Sequence, residues 1–258
     1  MTLGTCKLCL QRRALCDSHA LPSSLFNYIL RRNSGKAIVI TDDAATPARL
    51  SSDTWDAALL CSECETRLNR QYDAYGIAVF RGHRGSVRVH PEGVDLLNVD
   101  RRRLRMFFLS VLWRVSVSSH PSYSNIDLPY RWEEDLRQAL ASDRPVPQSR
   151  YTVAIYKMRD STPVGGFSNE DLRSFLAAPF ARDYGEFLSV CFPFLSFFVE
   201  TFFPRVSPAY AKRRGVLHGR GPVIPVPYVE VLEIPEIMNV LVSALRKHLK
   251  TEGVHGAA

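Results

Sequence analysis

The sequence predicts an α+β fold in which an N-terminal module stapled by cysteines packs on helices and is followed by a mixed α/β C-terminal region. Three observations predict it. Two Cys-x-x-Cys pairs fall within the first 64 residues, a long helical period occupies 101–114, and beyond 150 short alternating segments are interleaved with helical ones. A chain of 258 residues that is 46% hydrophobic and 23% charged buries a sizeable core without external staples. The expected division is 1–85 for the cysteine module, 86–144 for a helical region packed on it, and 145–258 for an α+β region.

Cys6-Lys7-Leu8-Cys9 and Cys61-Ser62-Glu63-Cys64 are each short enough to turn both thiolates toward one ion, at the spacing of zinc knuckles. Two such pairs complete a tetrahedron, so Cys6, Cys9, Cys61 and Cys64 are expected to hold a structural Zn²⁺. The 51 residues between Cys9 and Cys61 exceed what a simple ribbon needs, so something folded sits between the pairs. Cys16 and Cys191 lie outside this set: Cys16 is assigned a structural role because a site with four thiolates has no vacancy, and Cys191, in an apolar run, is read as packing. Glu65 to Tyr72 contains no Gly or Pro and reads as a helix beginning just after Cys64. Knuckle, hairpin, knuckle, helix is the order of a treble clef.

At these residues, and over about 1–118, the chain resembles the HNH, or ββα-metal, nuclease superfamily in its zinc-stapled form. His19 stands where that family has its first histidine, Pro22 at the following proline, and Asp56 roughly at the middle Asn. With the later Leu112-Trp113-Arg114, the pattern is similar to that of uncharacterised bacterial proteins carrying a degenerate HNH-like module. The resemblance implies that His19 is a general base activating water against a phosphodiester, beside a Mg²⁺ or Mn²⁺ ion. Two departures are plain: Ser18 replaces the acidic partner of His19, and Glu65 rather than His or Asn follows Cys64. A hard cation wants oxygen ligands, and only Asp17, Asp56 and Glu65 supply them here. His19 thus has three readings: a catalytic base, a structural histidine bonded to the knuckle backbone, or a zinc ligand in place of a cysteine.

Residues 77–80 and 87–89, around Arg81-Gly82-His83-Arg84-Gly85, read as two short strands and a turn. Arg101 to Arg114 reads as a helix whose apolar face, residues 104, 107, 108, 111 and 112, belongs to the core. Arg101, Arg102, Arg103 and Arg105 at its start oppose the helix dipole. They are either a phosphate-contacting patch or a solvated face with stems packed over apolar surface. Trp113 and Arg114 are expected to pack against the cysteine module. A second helix spans 131–141, and Asp143-Arg144-Pro145-Val146-Pro147 breaks it.

Tyr151 to Met158 alternates as a strand, and Ser168 caps a helix running to about 177 with Asp171 at its third position. Phe187 to Val199 reads as either a strand pair or a helix; its aromatics are core if covered and a partner surface if exposed. The run is too short and too interrupted to span a membrane. Lys212, Arg213 and Arg214 open a basic glycine-rich loop that lacks the Lys-Ser/Thr ending of a P-loop. Val223 to Ile234 is strand-like, and Glu236 to Lys250 reads as a final helix. His83, His90, His120, His218, His248 and His255 read as solvated.

A net charge of +7 and a pI of about 9.2 permit binding to phosphate backbones without requiring it. No secretory signal is recognisable, so the expected compartment is cytoplasmic. Three function classes follow. The first is a metal-dependent endonuclease using His19, in a setting such as bacterial defence. The second is a zinc-stabilised module binding nucleic acid through Arg101–Arg105 and Lys212–Arg214. The third is a non-catalytic interaction subunit docking through the aromatic C-terminal half.

Overall fold

The computed structural model describes residues 2–39, 49–218 and 221–243, and their architecture is mixed α+β. Strands β1 (Thr2–Thr5) and β2 (Arg12–His19) pair antiparallel across the turn that carries the first cysteine pair. Between the cysteine pairs lie helix α1 (Ser23–Arg32), which buries Leu25, Phe26 and Ile29, and a small hairpin of β3 (Ala37–Val39) and β4 (Arg49–Ser51). β5 (Asp56–Cys61) then returns antiparallel to β2, giving a three-stranded sheet in the order β1-β2-β5. A bulge between Cys16 and Asp17 resets the register so that His19 faces Asp56.

Helix α2 (Ser62–Leu68) starts on the second cysteine pair and continues through a π-helical turn at Asn69–Asp73 into α3 (Ala74–Phe80). The strand expected at 77–80 is therefore helical. Its apolar residues have a tertiary partner that β-propensity does not register: Val79 and Phe80 are buried, and Phe80 meets the rings of Phe108, Phe194 and Phe197. Gly76 permits the close approach, since a Cβ there would lie 2.3 Å from the Phe107 ring. The hairpin falls one segment later, in β6 (Ser86–His90) and β7 (Gly93–Leu97).

Helix α4 (Arg101–Val117) is capped by Asp100, whose side chain accepts from Arg103 N at 3.0 Å. It is buried on every side from Leu104 to Val115, so it is a central helix rather than an amphipathic one with a single core face. Each large apolar side chain it removes from water contributes about 1.5–3 kcal/mol before entropy. α5 (Tyr130–Ser142) packs beside it and ends at Asp143 in the left-handed conformation.

The remaining strands are β8 (Thr152–Arg159), β9 (Phe180–Asp183), β10 (Leu188–Phe194), β11 (Phe197–Phe203) and β12 (Val223–Glu230). With the β6-β7 hairpin they form one seven-stranded sheet in the order β6-β7-β12-β8-β11-β10-β9, antiparallel except between β12 and β8. Residues expected to belong to separate regions on either side of 144 thus share a sheet. Short helices α6 (Asn169–Ser174) and α7 (Pro208–Ala211) decorate it, the first closed by the Ser168–Asp171 capping box. A last helix, α8, is described over 235–243; the rest of the expected helix to Lys250 lies outside the described residues.

The run 187–199 resolves as the β10–β11 hairpin, turned by Leu195 and Ser196 at φ 49° and 67°. One apolar core runs from the cysteine module through α4 into the large sheet. Among the described residues no helix is long and apolar enough to cross a membrane.

Candidate metal centre and its surroundings

The first cysteine pair sits in the β1–β2 turn, where Leu10 N donates to Cys6 O and Cys6 N to Gln11 O, each at 2.9 Å, while Leu10 takes a φ of 61°. The second pair spans the end of β5 and the first turn of α2. Lys7 N donates to Leu59 O at 3.1 Å, and Arg137 from α5 donates to Leu8 O at 2.7 Å, so the turn is clamped from two sides. All four Sγ atoms lie within 4.8 Å of one another, and Cys61 N donates to Cys6 Sγ at 3.3 Å. A tetrahedral site with sulfurs about 2.3 Å from zinc spaces them about 3.8 Å apart, so small adjustments close the cluster on an ion.

The four thiols are free cysteines, three of them buried. Burial raises the Cys6 thiol, but donors from the Cys9, Cys61 and Leu8 backbone more than offset it and bring it to about 7. Burial pushes Cys64 well above the thiol range, with the neighbouring thiols adding to it, and raises Cys9. Four thiolates in so small a space repel one another unless a cation joins them, and a thiophilic ion such as zinc reverses that balance. The donor set therefore fits a closed, four-sulfur metal site. Cys16 stays outside it, and Cys191 is buried in the core.

Comparison with protein-family models, curated proteins and solved structures gives no match.

Beside the cluster, at the end of β2, His19 Nε2 lies 3.1 Å from Thr54 Oγ1, which donates to Asp56 Oδ1 at 3.0 Å. Because the hydroxyl proton goes to Asp56, Nε2 carries the hydrogen toward Thr54 and Nδ1 keeps the lone pair. Burial lowers the His19 pKa against the opposing field of Asp56, Glu65 and Asp17, so the ring is neutral near pH 7. The carboxylates do not close on it. Among the described residues, the cysteine cluster is the one group of three or more His, Cys, Asp or Glu side chains placed to hold an ion. Asp17 is exposed opposite Ala58, Asp56 is engaged by Thr54, and Glu65 keeps a buried Oε2 with no hydrogen-bond partner. The expected Mg²⁺ or Mn²⁺ ligand set is thus not assembled.

Sequence reasoning missed the frame around His19. Thr54 is one part of it; Trp55, at φ 56°, is another, packing on Phe26, Tyr123 and, stacked, on His120. His120, expected to be solvated, is packed there with Nε2 at 3.3 Å from Asp53. Trp55 in the left-handed region beside a half-buried histidine is a signal that only the folded backbone gives. Arg114 donates to His19 O at 3.0 Å and to both oxygens of Asp73, at 2.8 and 2.6 Å, which joins α4 to the module as expected.

Of the arginines at the start of α4, Arg105 is buried and Arg101 half-buried, while Arg102 and Arg103 are exposed. Arg101 donates to His218 O at 2.8 Å and also to Val223 O and Gly221 O. Arg105, only 6% exposed, donates to Val146 O, Pro147 O and Tyr151 O. Arg103 binds Gln71 O and lies over the Tyr75 ring, and Arg102 reaches Asp143. These guanidiniums satisfy loop carbonyls, which explains how the helix tolerates them. Arg214 pairs with Glu92, while Arg213 is exposed and stacked on Tyr210. The aromatics Phe192, Phe194, Phe197, Phe198, Phe202 and Phe203 are buried, so they form core and not the docking face considered above.

Proposed function

We propose that residues 1–85 are an HNH-like treble-clef module stapled by a structural zinc, and that the protein acts on nucleic acid through the surface beside His19. The knuckle, the antiparallel β2–β5 pair, the second knuckle and α2 occur in the order this reading requires. The observation that carries it is His19 itself: neutral, held through Nε2 by the Thr54–Asp56 pair, and left with a basic Nδ1. That is the state a general base needs. A closed four-thiolate site has no open position for water, so hydrolysis would belong to His19; a hard cation, if the substrate's phosphate oxygens brought one, would supply charge stabilisation that Asp56 and Glu65 do not assemble by themselves.

A second reading, a non-catalytic zinc-stapled subunit, is favoured by the scattered carboxylates and by the inward-turned Arg101 and Arg105. One experiment separates them. Purified protein is incubated with plasmid, single-stranded DNA and RNA in Mg²⁺, Mn²⁺ or chelator, beside His19→Ala. The first reading expects ion-dependent cleavage that His19→Ala abolishes while melting and zinc content hold. Binding at low salt without cleavage supports the non-catalytic form, and absence of both cleavage and binding refutes a nucleic-acid role.

A further inference from the structure

A cavity of about 330 Å³ lies between the start of α4, residues 148–152 and the segment from 205 to 218, far in sequence from the cysteine cluster. Its size is at the low end of small-molecule sites, which run about 300–1,000 Å³. Its charge is one-sided: Arg105, Arg205, Lys212 and His218 line it, and no carboxylate does among the described residues. None of the three Lys and Arg side chains has a carboxylate within 4.0 Å among the described residues, whereas the inward-facing Arg114, Arg137 and Arg182 each have one.

Arg105 is the decisive member. It is 6% exposed, its Nη atoms are held by three backbone carbonyls, and its buried Nε has no partner. Carbonyl dipoles satisfy donors but leave the positive charge uncompensated, and a buried unpaired charge is costly. Burial brings its pKa to about 10, so it remains a cation at neutral pH. His218 is oriented by its Nδ1 donating to Val216 O at 3.2 Å, which leaves Nε2 for a ligand. Ser149, Thr152 and Gln148 add neutral polar groups, and Val206, Val216 and Leu217 provide an apolar wall for a flat ring.

We propose that this cavity binds a phosphate monoester carried on a nucleotide-sized group, the phosphate set between Arg105, Arg205, Lys212 and His218 and the ring against the apolar wall. Multiple cationic donors match the oxygens of a doubly charged phosphate, and a concave site of this volume takes one nucleotide and not a duplex. The source is either a free nucleotide or the 5′ end of a strand. The inference does not depend on the reading of His19.

The test is calorimetric titration of the zinc-loaded full chain with AMP, adenosine, inorganic phosphate, and a hexanucleotide with and without a 5′-phosphate. Arg205→Gln and Lys212→Gln are exposed substitutions that spare the core, and their melting and zinc content are checked against the parent. AMP or the 5′-phosphorylated strand should bind, each variant should weaken that binding at least tenfold, adenosine should not bind, and the variants should leave any binding of the 5′-hydroxyl strand unchanged. Preference between AMP and the phosphorylated strand identifies the source. His19→Ala should leave binding unchanged, so this site and the proposed function can fail separately. Absence of binding by every phosphorylated probe, or affinity unchanged in the Arg205→Gln/Lys212→Gln double variant, overturns the proposal.

Discussion

Arg114→Met removes a guanidinium that is 1% exposed and engages four acceptors: both oxygens of Asp73, His19 O at 3.0 Å and Ser110 O at 3.3 Å. Burial works against the Arg114 charge, and Asp73 more than offsets it, raising its pKa. Methionine fills much of the stem's volume, so the loss is electrostatic: Asp73, 6% exposed, is left without its cation. Removing one partner of a buried pair costs about 3–5 kcal/mol, whereas replacing both by apolar groups is often neutral. At about 2–4 °C per kcal/mol for a chain of this size, the single variant should melt about 6–20 °C lower. Asp73→Leu should behave similarly, and Arg114→Met/Asp73→Leu should recover most of the loss. The assay is thermal and urea unfolding of all four proteins at pH 7, read as a double-mutant cycle. Single variants costing under about 1 kcal/mol, the scale of an exposed pair, would refute the reasoning, as would a double variant whose loss equals the sum of the singles.

Gly76→Ala should destabilise by about 1–3 kcal/mol through overpacking, because its Cβ would meet the Phe107 ring in a filled core; Phe107→Leu in the same chain should relieve it. Asp100→Ala should cost about 0.5–2 kcal/mol in urea unfolding by uncapping α4. For His19 the folded pKa lies below the unfolded value of 6.5, so folded protein binds fewer protons in that window. Stability is therefore full above pH 6.5 and falls as pH drops below it toward the folded pKa. Proton NMR of the ring should give a midpoint under 6.5, and His19→Ala should show a shallower loss of melting temperature below pH 6.5; a midpoint at or above 6.5 would contradict the burial argument.

Local chemistry carried far in this chain, and non-local pairing did not. The two Cys-x-x-Cys pairs declare their convergence because ligand spacing is a short-range property, and Ser168–Asp171 declares a cap for the same reason. The strand expected at 151–158 from alternation falls at 152–159, the strand-like 223–234 is a strand only to 230 and then a 3-10 turn, and α4 was legible from its period. Yet α4's full burial was hidden, since Arg105 and Arg114 look like solvent residues until the carbonyls and carboxylate that receive them are known. The β10–β11 turn was unreadable because Leu195 and Ser196, and not Asn-Gly, occupy its left-handed positions. Residues 77–80 misled because their helix is stabilised through Phe80 by Phe108, Phe194 and Phe197, the nearest of them 28 residues away. The link from His19 through Thr54 to Asp56 needed the β2–β5 bulge, and no spacing rule forecasts where a bulge falls.

The measurement that bears most directly on the metal centre is X-ray absorption at the zinc edge together with metal stoichiometry, on the parent chain and on Cys64→Ser. One zinc per chain with a shell of four sulfurs at about 2.3 Å, lost or reduced to a weakly held ion in Cys64→Ser with a lower melting temperature, is the predicted result. A shell containing nitrogen, a disulfide among the four cysteines, or a chain that folds with equal stability and no bound metal would contradict it.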